Sequence, residues 1–303
     1  MDMAVGKKRK TTRELVDFSE LPEGCISDFI ALTGPRDACQ LSVVCTAFKS
    51  AADSDSVWAR LLQADVHSMF PRASGAPLQF SSLKQLYFSL CHRPILIDGG
   101  KLSFSLNRSS GKKCYMLSAR ALSITWGDTP MYWTWKSLPD SRFLEVAQLL
   151  DVCWLEIRAR IDVRMLSPST LYAANMVFKF NPDSYGFKNL PIEVRVRPVD
   201  GEAILERTVY LNQQNGGRRH RILGMQMPLG LRGHDHNLEL QEDVPREGSQ
   251  KEREDGWLEI ELGELCNDGR DGEMELSAMQ VKHPHWKSGL IIEGIDIRPK
   301  ESD

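Results

Sequence analysis

Apolar residues recur at two different periods along this chain, and the change of period divides it. From Leu15 to about Leu62 they fall three and four apart. Ile26, Phe29 and Ile30 follow Leu21-Pro22-Glu23 at helical spacing, and the segment closes at Thr33-Gly34-Pro35, a strong stop signal. Asp37 stands where an N-cap is expected, ahead of Ala38, Leu41, Cys45 and Phe48 on one face of a second helix. A third short helix is expected after Ser54 or Asp55, carrying Val57, Trp58, Leu61 and Leu62. Three such helices in about fifty residues bury little apolar area by themselves, so something else must cover part of their surface.

Residues 63–80 carry Pro71, Gly75 and Pro77 with little periodicity and read as a linker; a short helix, Ser82 to Leu90, follows. From about Leu96 the pattern alternates. In DVCWLEIRARIDVRML one face takes Cys153, Leu155, Ile157, Ala159, Ile161, Val163 and Met165. The other takes Trp154, Glu156, Arg158, Arg160, Asp162 and Arg164. That pattern predicts one long strand with a buried and a wet face. Shorter alternations occur at Leu102, Phe104 and Leu106; at Ile192, Val194 and Val196; at Leu258, Ile260 and Leu262; and at Ile291, Ile295 and Ile297. Phe143, Val146, Ala147 and Leu150 predict a helical island among them. Many short half-wet strands joined by Gly- and Pro-bearing turns predict an antiparallel sandwich or jelly roll, giving an α+β chain overall. The expected organisation is a basic tail over 1–14, a helical element over 15–62, a linker with a short helix over 63–94, and a β-sandwich domain over 95–303.

Composition narrows the function classes. At 303 residues the chain is long enough for roughly two domains, and 42% hydrophobic with 26% charged content is ordinary for a globular protein. A net charge of -3 argues against nucleic-acid or membrane-surface binding driven by bulk electrostatics. The seven cysteines are scattered and never spaced as CxxC, which reads as a reduced, intracellular chain of the cytoplasm or nucleus. No apolar segment follows the basic N-terminal residues, so no secretory signal is expected, and no run of about eighteen apolar residues predicts a membrane span. Lys7, Lys8, Arg9 and Lys10 suit a solvated tail or a nuclear address.

The stretch LPEGCISDFIALTGPRDACQLSVVCTAFKSAADSDSVWARLL resembles a plant-type F-box. Leu21-Pro22, Asp37, Val43-Val44-Cys45 with Phe48, and the Ser54-Asp55-Ser56-Val57-Trp58 ending carry the resemblance. It implies a three-helix element that docks on the Skp adaptor of a cullin-based ubiquitin ligase. Leu21, Pro22, Ile26, Leu41, Val43 and Val44 are the implied contacts; the same residues also suit the core of a small helical subdomain.

The second half resembles the phloem protein two, or Nictaba-type, plant lectins. The stretches KKCYMLSARALSITWGDTPMYWTW, RFLEVAQLLDVCWLEI, TLYAANMVFKF, REDGWLEIELGEL and WKSGLIIEGIDIRPK carry it, in that order, over roughly Lys112 to Lys300. An F-box ahead of such a domain is the arrangement of the phloem-protein-two-like F-box proteins. The resemblance implies a β-sandwich whose sugar-binding members recognise N-acetylglucosamine oligomers or N-glycan cores. By position, Trp126 and Trp133 match the tryptophans used there, Glu273 matches one acidic position, and Gln280 stands where a second Glu is common. Loss of that carboxylate removes a charge-assisted acceptor. A flat indole suits the apolar face of a pyranose. Trp126 and Trp135 equally suit core packing, and Trp154 suits a ring that covers a loop.

No metal, cofactor or catalytic constellation is expected. His234/His236 and His283/His285 lack partners at zinc spacing, NQQNGGRRHRILG lacks a phosphate-loop arrangement, and QEDVPREGSQKERED reads as a solvated loop. The expected role is a non-catalytic receptor that joins a target, through glycan or protein surface, to the Skp adaptor and its cullin. Two alternatives stand beside it: a lectin acting without the ligase, and a receptor that reads protein surface through the loops around Gly216 and Glu247.

Overall fold

Four α-helices, not three, form between Glu23 and Leu61: α1 (Glu23–Ala31), α2 (Pro35–Leu41), α3 (Thr46–Asp53) and α4 (Asp55–Leu61). The computed structural model describes residues 21–75, 78–188, 190–211, 250–269, 271–282 and 285–300. The tail 1–14, the segment NQQNGGRRHRILG, most of QEDVPREGSQKERED (with Glu247), and His234, His236 and His283 lie outside these residues.

The chain divides into two compact units, Met1–His67 with Leu78–Ser89 and Arg108–Gly111, and Ser68–Pro77 with Leu90–Asn107 and Lys112–Asp303. In the first, the helix expected from Asp37 to Phe48 is broken in the middle. Gly34 caps α2 and Pro35 takes its first position, where a missing N–H costs nothing, so Asp37 lies in the first turn rather than at the cap. The break falls at Ser42-Val43-Val44. The Ser42 hydroxyl donates back to the Cys39 carbonyl (2.6 Å), two β-branched residues follow, and Cys45 is fully extended at φ -161°, ψ 174°. Phe48 is thereby freed to turn inward and is buried, as are Ile26, Ile30, Ala51, Ala52 and Val57 of the same unit.

The stretch 63–94, expected as a linker with a short helix, contains a 3-10 segment Ala64–Arg72 and a fifth helix, α5 (Leu83–His92). Within the first unit α5 covers part of the helical core. Trp58, wholly buried, lies 5.0 Å from the Tyr87 ring and 5.5 Å from Phe88, and its indole N–H donates to the Ala52 carbonyl at 2.7 Å. Lys84 pairs with Asp53 (2.5 Å), and the Leu83 amide donates to Asp55 Oδ1 (2.8 Å).

The second unit is built from β1 (Ile95–Ile97), β2 (Leu102–Leu106), β3 (Lys113–Ser118), β4 (Ser123–Ile124), β5 (Trp133–Lys136), β6 (Val146–Leu149) and β7 (Leu155–Asp162). It continues with β8 (Thr170–Tyr185), β9 (Pro191–Pro198), β10 (Leu205–Tyr210), β11 (Lys251–Glu252), β12 (Leu258–Asn267), β13 (Glu273–Gln280) and β14 (Ser288–Pro299). One sheet runs β1-β2-β3-β14-β8-β12-β11, with β6 joining β14 and β5 joining β6; the other runs β10-β9-β13-β7-β4. The described pairings are antiparallel, as alternating patterns predict.

The two sheets face each other closely. A Cβ on Gly263 in β12 would stand 2.5 Å from Val196 Cγ2 in β9, so only glycine fits where the layers touch. β7 alternates as expected, burying Leu155, Ile157, Ala159 and Ile161. It is shorter than the pattern suggested, because Asp162 accepts from the Arg164 amide and turns Val163–Met165 into a 3-10 segment. β14 is buried along nearly its whole length, flanked by β3 and β8 in its sheet and joined through Ile291 to an apolar cluster. That cluster comprises Met116, Phe143, Val146, Val177, Trp257 and Ile291.

The helical island expected at Phe143–Leu150 is strand β6. Spacing of three and four was met by chance over so few residues. What decides the conformation is hydrogen bonding to β14, with Gln148 opposite Ile291 and Ala147 opposite Ile292, and to β5 on the other side. On the outward face of the smaller sheet Glu275, almost wholly buried, receives Arg158, Arg160 and Arg197 at 2.7–3.5 Å.

Candidate functional site

Two surfaces carry the residues that the sequence singles out, one on each unit. On the helical unit, Leu21 and Pro22 open α1: Pro22 has φ -55° and ψ 139°, and its carbonyl accepts from the Cys25 amide at 2.9 Å. Both are exposed. Val43 and Val44 sit in the turn between α2 and α3 with 84% and 63% of their surface bare. Leu41 is half-buried beside them in sequence. Ile26 departs from expectation, for it is 2% exposed in the helical core and offers nothing to a partner.

Sequence reasoning missed Phe29 and Leu32, which are large, apolar and exposed. The signal was present. α1 carries a second stripe, Cys25, Phe29 and Leu32, at i, i+4 and i+7, beside the buried stripe of Ile26 and Ile30. A helix apolar on two sides needs two covers, and within its unit it receives one.

The β unit sorts its tryptophans differently from the expectation. Trp133, expected to face a sugar, is 2% exposed at the start of β5, and its indole N–H makes no hydrogen bond. Strand alternation turns it inward opposite Leu149. Trp135 is structural in another way: its N–H donates to the Gly127 carbonyl (3.0 Å), and the Arg120 guanidinium lies 3.6 Å over its ring. Trp126 is the exposed member of the cluster. It has a left-handed backbone at φ 60°, an outlier for so bulky a residue, and its ring leans on Tyr132 at 5.2 Å.

The two remaining expected contacts do not meet. Glu273 begins β13 and is exposed, while Gln280 ends the same strand and is buried. Seven steps of strand separate them by about 23 Å. Gln280 lies opposite Leu155 at the end where Trp154 is found; Glu273 lies opposite Asp162 at the far end. The four residues expected to hold sugar are thus not one site.

Around Trp154 the chemistry is dense. Its N–H and the Thr125 hydroxyl both donate to Glu156 Oε2 at 3.0 Å, and Arg158 donates to Oε1 at 2.8 Å. Burial pushes the Glu156 carboxyl up, but these hydrogen bonds together outweigh it and hold the group below the usual carboxylate range. Close by, Lys287 is fully buried and donates to the Cys153 carbonyl at 2.9 Å. Desolvation lowers its ammonium to about 8. Tyr185 donates to Asp151 Oδ1 at 2.7 Å, which raises the phenol above its ordinary value. His285 is exposed, and among the described residues no group of three or more His, Cys, Asp or Glu side chains could hold a metal ion. The seven cysteines are free thiols.

Comparison with known proteins matches the phloem protein 2 family to residues 112–299 and the F-box domain to residues 18–60. Relatives from Arabidopsis thaliana align over almost the whole chain. F-box protein At2g02240 is 44% identical over 94% of this chain and 81% of its own length. F-box protein PP2-B10 is 43% identical over 97% and 98%, and F-box protein VBF 35% identical over 92% and 99%. Among solved structures, a Podospora anserina GH26-CBM35 β-(1,4)-mannanase aligns at TM-score 0.31 and 10% identity over 63% of this chain and 28% of that one. That alignment is too loose to bear on the fold.

Proposed function

The chain belongs to the F-box proteins that carry a phloem protein 2 domain, and from that premise we propose that it is the substrate-recognition subunit of a Skp–cullin–F-box ubiquitin ligase. The observation that carries this reading is the apolar surface left bare on the helical unit by Leu21, Phe29, Leu32, Val43 and Val44. Exposed apolar side chains in that number on so small a unit favour an interaction surface. An adaptor of the Skp family fits it, and through the adaptor a cullin. The subunit performs no chemistry of its own; it supplies proximity between a target lysine and a conjugating enzyme, in the cytoplasm or nucleus. The β unit holds the target, and we take the held feature to be a glycan containing N-acetylglucosamine.

The docking half is tested by recovering Skp and cullin on tagged full-length chain. Leu32→Asp with Val43→Asp is expected to reduce recovery to background while the thermal midpoint stays put. Full recovery by that variant overturns the docking assignment. If wild type recovers no adaptor but binds glycan, the chain is a lectin acting outside the ligase.

A second reading, in which protein surface replaces sugar, is favoured by one observation: Trp133 is buried, and Glu273 and Gln280 stand at opposite ends of β13. A glycan array on the full chain separates the two, because an array with no bound glycan leaves protein targets.

A further inference from the structure

Ala174 of β8 stands opposite Gly263, which touches the smaller sheet, so alternation turns its neighbours Ala173 and Asn175 to the other face of the larger sheet. There they floor a cavity of about 570 Å³. Glu259 and Glu261 of β12, Arg298 of β14, Lys251 of β11 and Arg207 of β10 stand around it. Its volume lies within the range of small-molecule sites, about 300–1,000 Å³.

Two donors of this lining are left over. Asn175 is 5% exposed, and its amide nitrogen is buried without a hydrogen-bond partner. Arg207 commits Nη2 to Glu261, to the carbonyl at 2.6 Å and the carboxylate at 3.1 Å, while its buried Nε has no partner. Folded proteins satisfy nearly all buried donors, so two orphans on one cavity point to an acceptor that enters it. The carboxylates already there are engaged. Glu259 receives Arg298 at 2.5 Å and Arg253 at 3.2 Å, and Glu261 receives Arg207. Arg298 is matched in turn by Asp296 at 3.0 Å, and Lys300 by Glu264. Lys251 is exposed and forms no ion pair among the described residues, so it stays open to an anion.

We propose that this cavity binds a small phosphate monoester, with the phosphoryl group held by Asn175, Arg207 and Lys251. The site is separate from the adaptor surface and from whatever the β unit holds of a target.

The donor set selects the ligand. A phosphoryl group offers three acceptor oxygens, one for each of the three donors, whereas a carboxylate offers two. Guanidinium matches phosphate in shape as well as charge. The cavity is much larger than one phosphate, so an organic body accompanies it. That body is polar: no aromatic ring stands among the described lining residues to stack a base, and the Glu259 and Glu261 oxygens suit hydroxyl groups.

Calorimetry of the full chain with glycerol 3-phosphate, inorganic phosphate and sulfate, at matched ionic strength, tests the proposal. Glycerol 3-phosphate should bind saturably and more tightly than either inorganic anion. Lys251→Glu, at an exposed position, and Asn175→Leu should each weaken it about tenfold or more. Asn175→Leu replaces an unsatisfied buried amide with an apolar group of similar size, so without ligand its thermal midpoint should equal or exceed that of wild type. A lower midpoint would show the amide to be structural, and Lys251→Glu then decides the location. No saturable binding of glycerol 3-phosphate overturns the proposal. So does equal affinity for sulfate, the mark of an unselective cationic patch, or unchanged affinity in both variants, which would put the anion elsewhere. A phosphoserine peptide that binds more tightly than glycerol 3-phosphate would give the cavity to a protein ligand and overturn the small-molecule assignment.

Discussion

Val43-Val44 and Val194 with Val196 are the same side chain in two regions, with opposite fates. The first pair is bare in a turn of the helical unit; the second is wholly buried between two sheets. The difference is one of geometry. Two sheets packed face to face hide every second residue of each strand without further help. Short helices have too little facing area to do so, and α5, though it covers Trp58, leaves the stripe of Phe29 and Leu32 open. The same contrast recurs within the β unit. Trp133 is packed away while Trp126, Trp154 and Trp286 keep their faces bare on loops whose backbones are firmly tied. Exposed apolar area is informative here because the core beneath it is already complete.

The comparison breaks if buried and bare residues respond alike to truncation. The largest expected effects are Phe178→Ala in the inter-sheet core and Trp133→Ala, each costing about 3–5 kcal/mol in denaturant unfolding, against no more than about 0.5 kcal/mol for Trp126→Ala. A near-neutral Trp133→Ala would mean that the ring is not core.

Lys287 comes next. Its folded value of about 8 lies below the ordinary lysine value of 10.5, so between pH 8 and 10.5 the unfolded chain binds more protons and stability should rise with pH. Below pH 8 the penalty is constant. Lys287→Met should therefore stabilise the fold by about 1–3 kcal/mol at pH 7, a gain that fades by pH 10.5, as read from chemical unfolding across that range.

Glu275 has the opposite sign. Burial pushes its carboxyl up, but hydrogen bonds from Arg197 and Arg160, with the charges of the arginines around it, hold it below the usual carboxylate range. Its stabilisation is present above the unfolded carboxylate value and is lost as pH falls through the lower folded one. Glu275→Gln should cost about 1–2 kcal/mol at pH 7, with a flatter acid limb; an unchanged limb would show that the three arginines are held by solvent instead. The smallest effect on stability belongs to Val43→Asp with Val44→Asp: within about 0.5 kcal/mol of wild type, although adaptor recovery should vanish.

Much of the architecture was legible. Alternation in β7, β9 and β12 announced a sandwich, and helical spacing in α1 and α4 announced the first unit, because both signals are local. The failures were also physical. Val43 and Val44 interrupted a helix that an apolar period continued, and β6 took a strand conformation because β14 had an edge to fill. Of the expected contacts, Leu21, Pro22, Val43 and Val44 are exposed, whereas Ile26 and Trp133 are not. Phe29, Leu32, Trp154 and Trp286 were visible as apolar residues but not as bare ones.

Residue pattern alone establishes that this protein has a helical and a β-rich part, which face of most elements is apolar, and which family motifs it carries. Periodicity and motif are properties of neighbouring residues and need no fold to be read. Which apolar faces found a cover follows from the folded chain. Cover comes from residues far away in sequence: Lys287, wholly buried, reaches the carbonyl of Cys153, 134 positions earlier. No pattern within a window of the chain encodes that meeting.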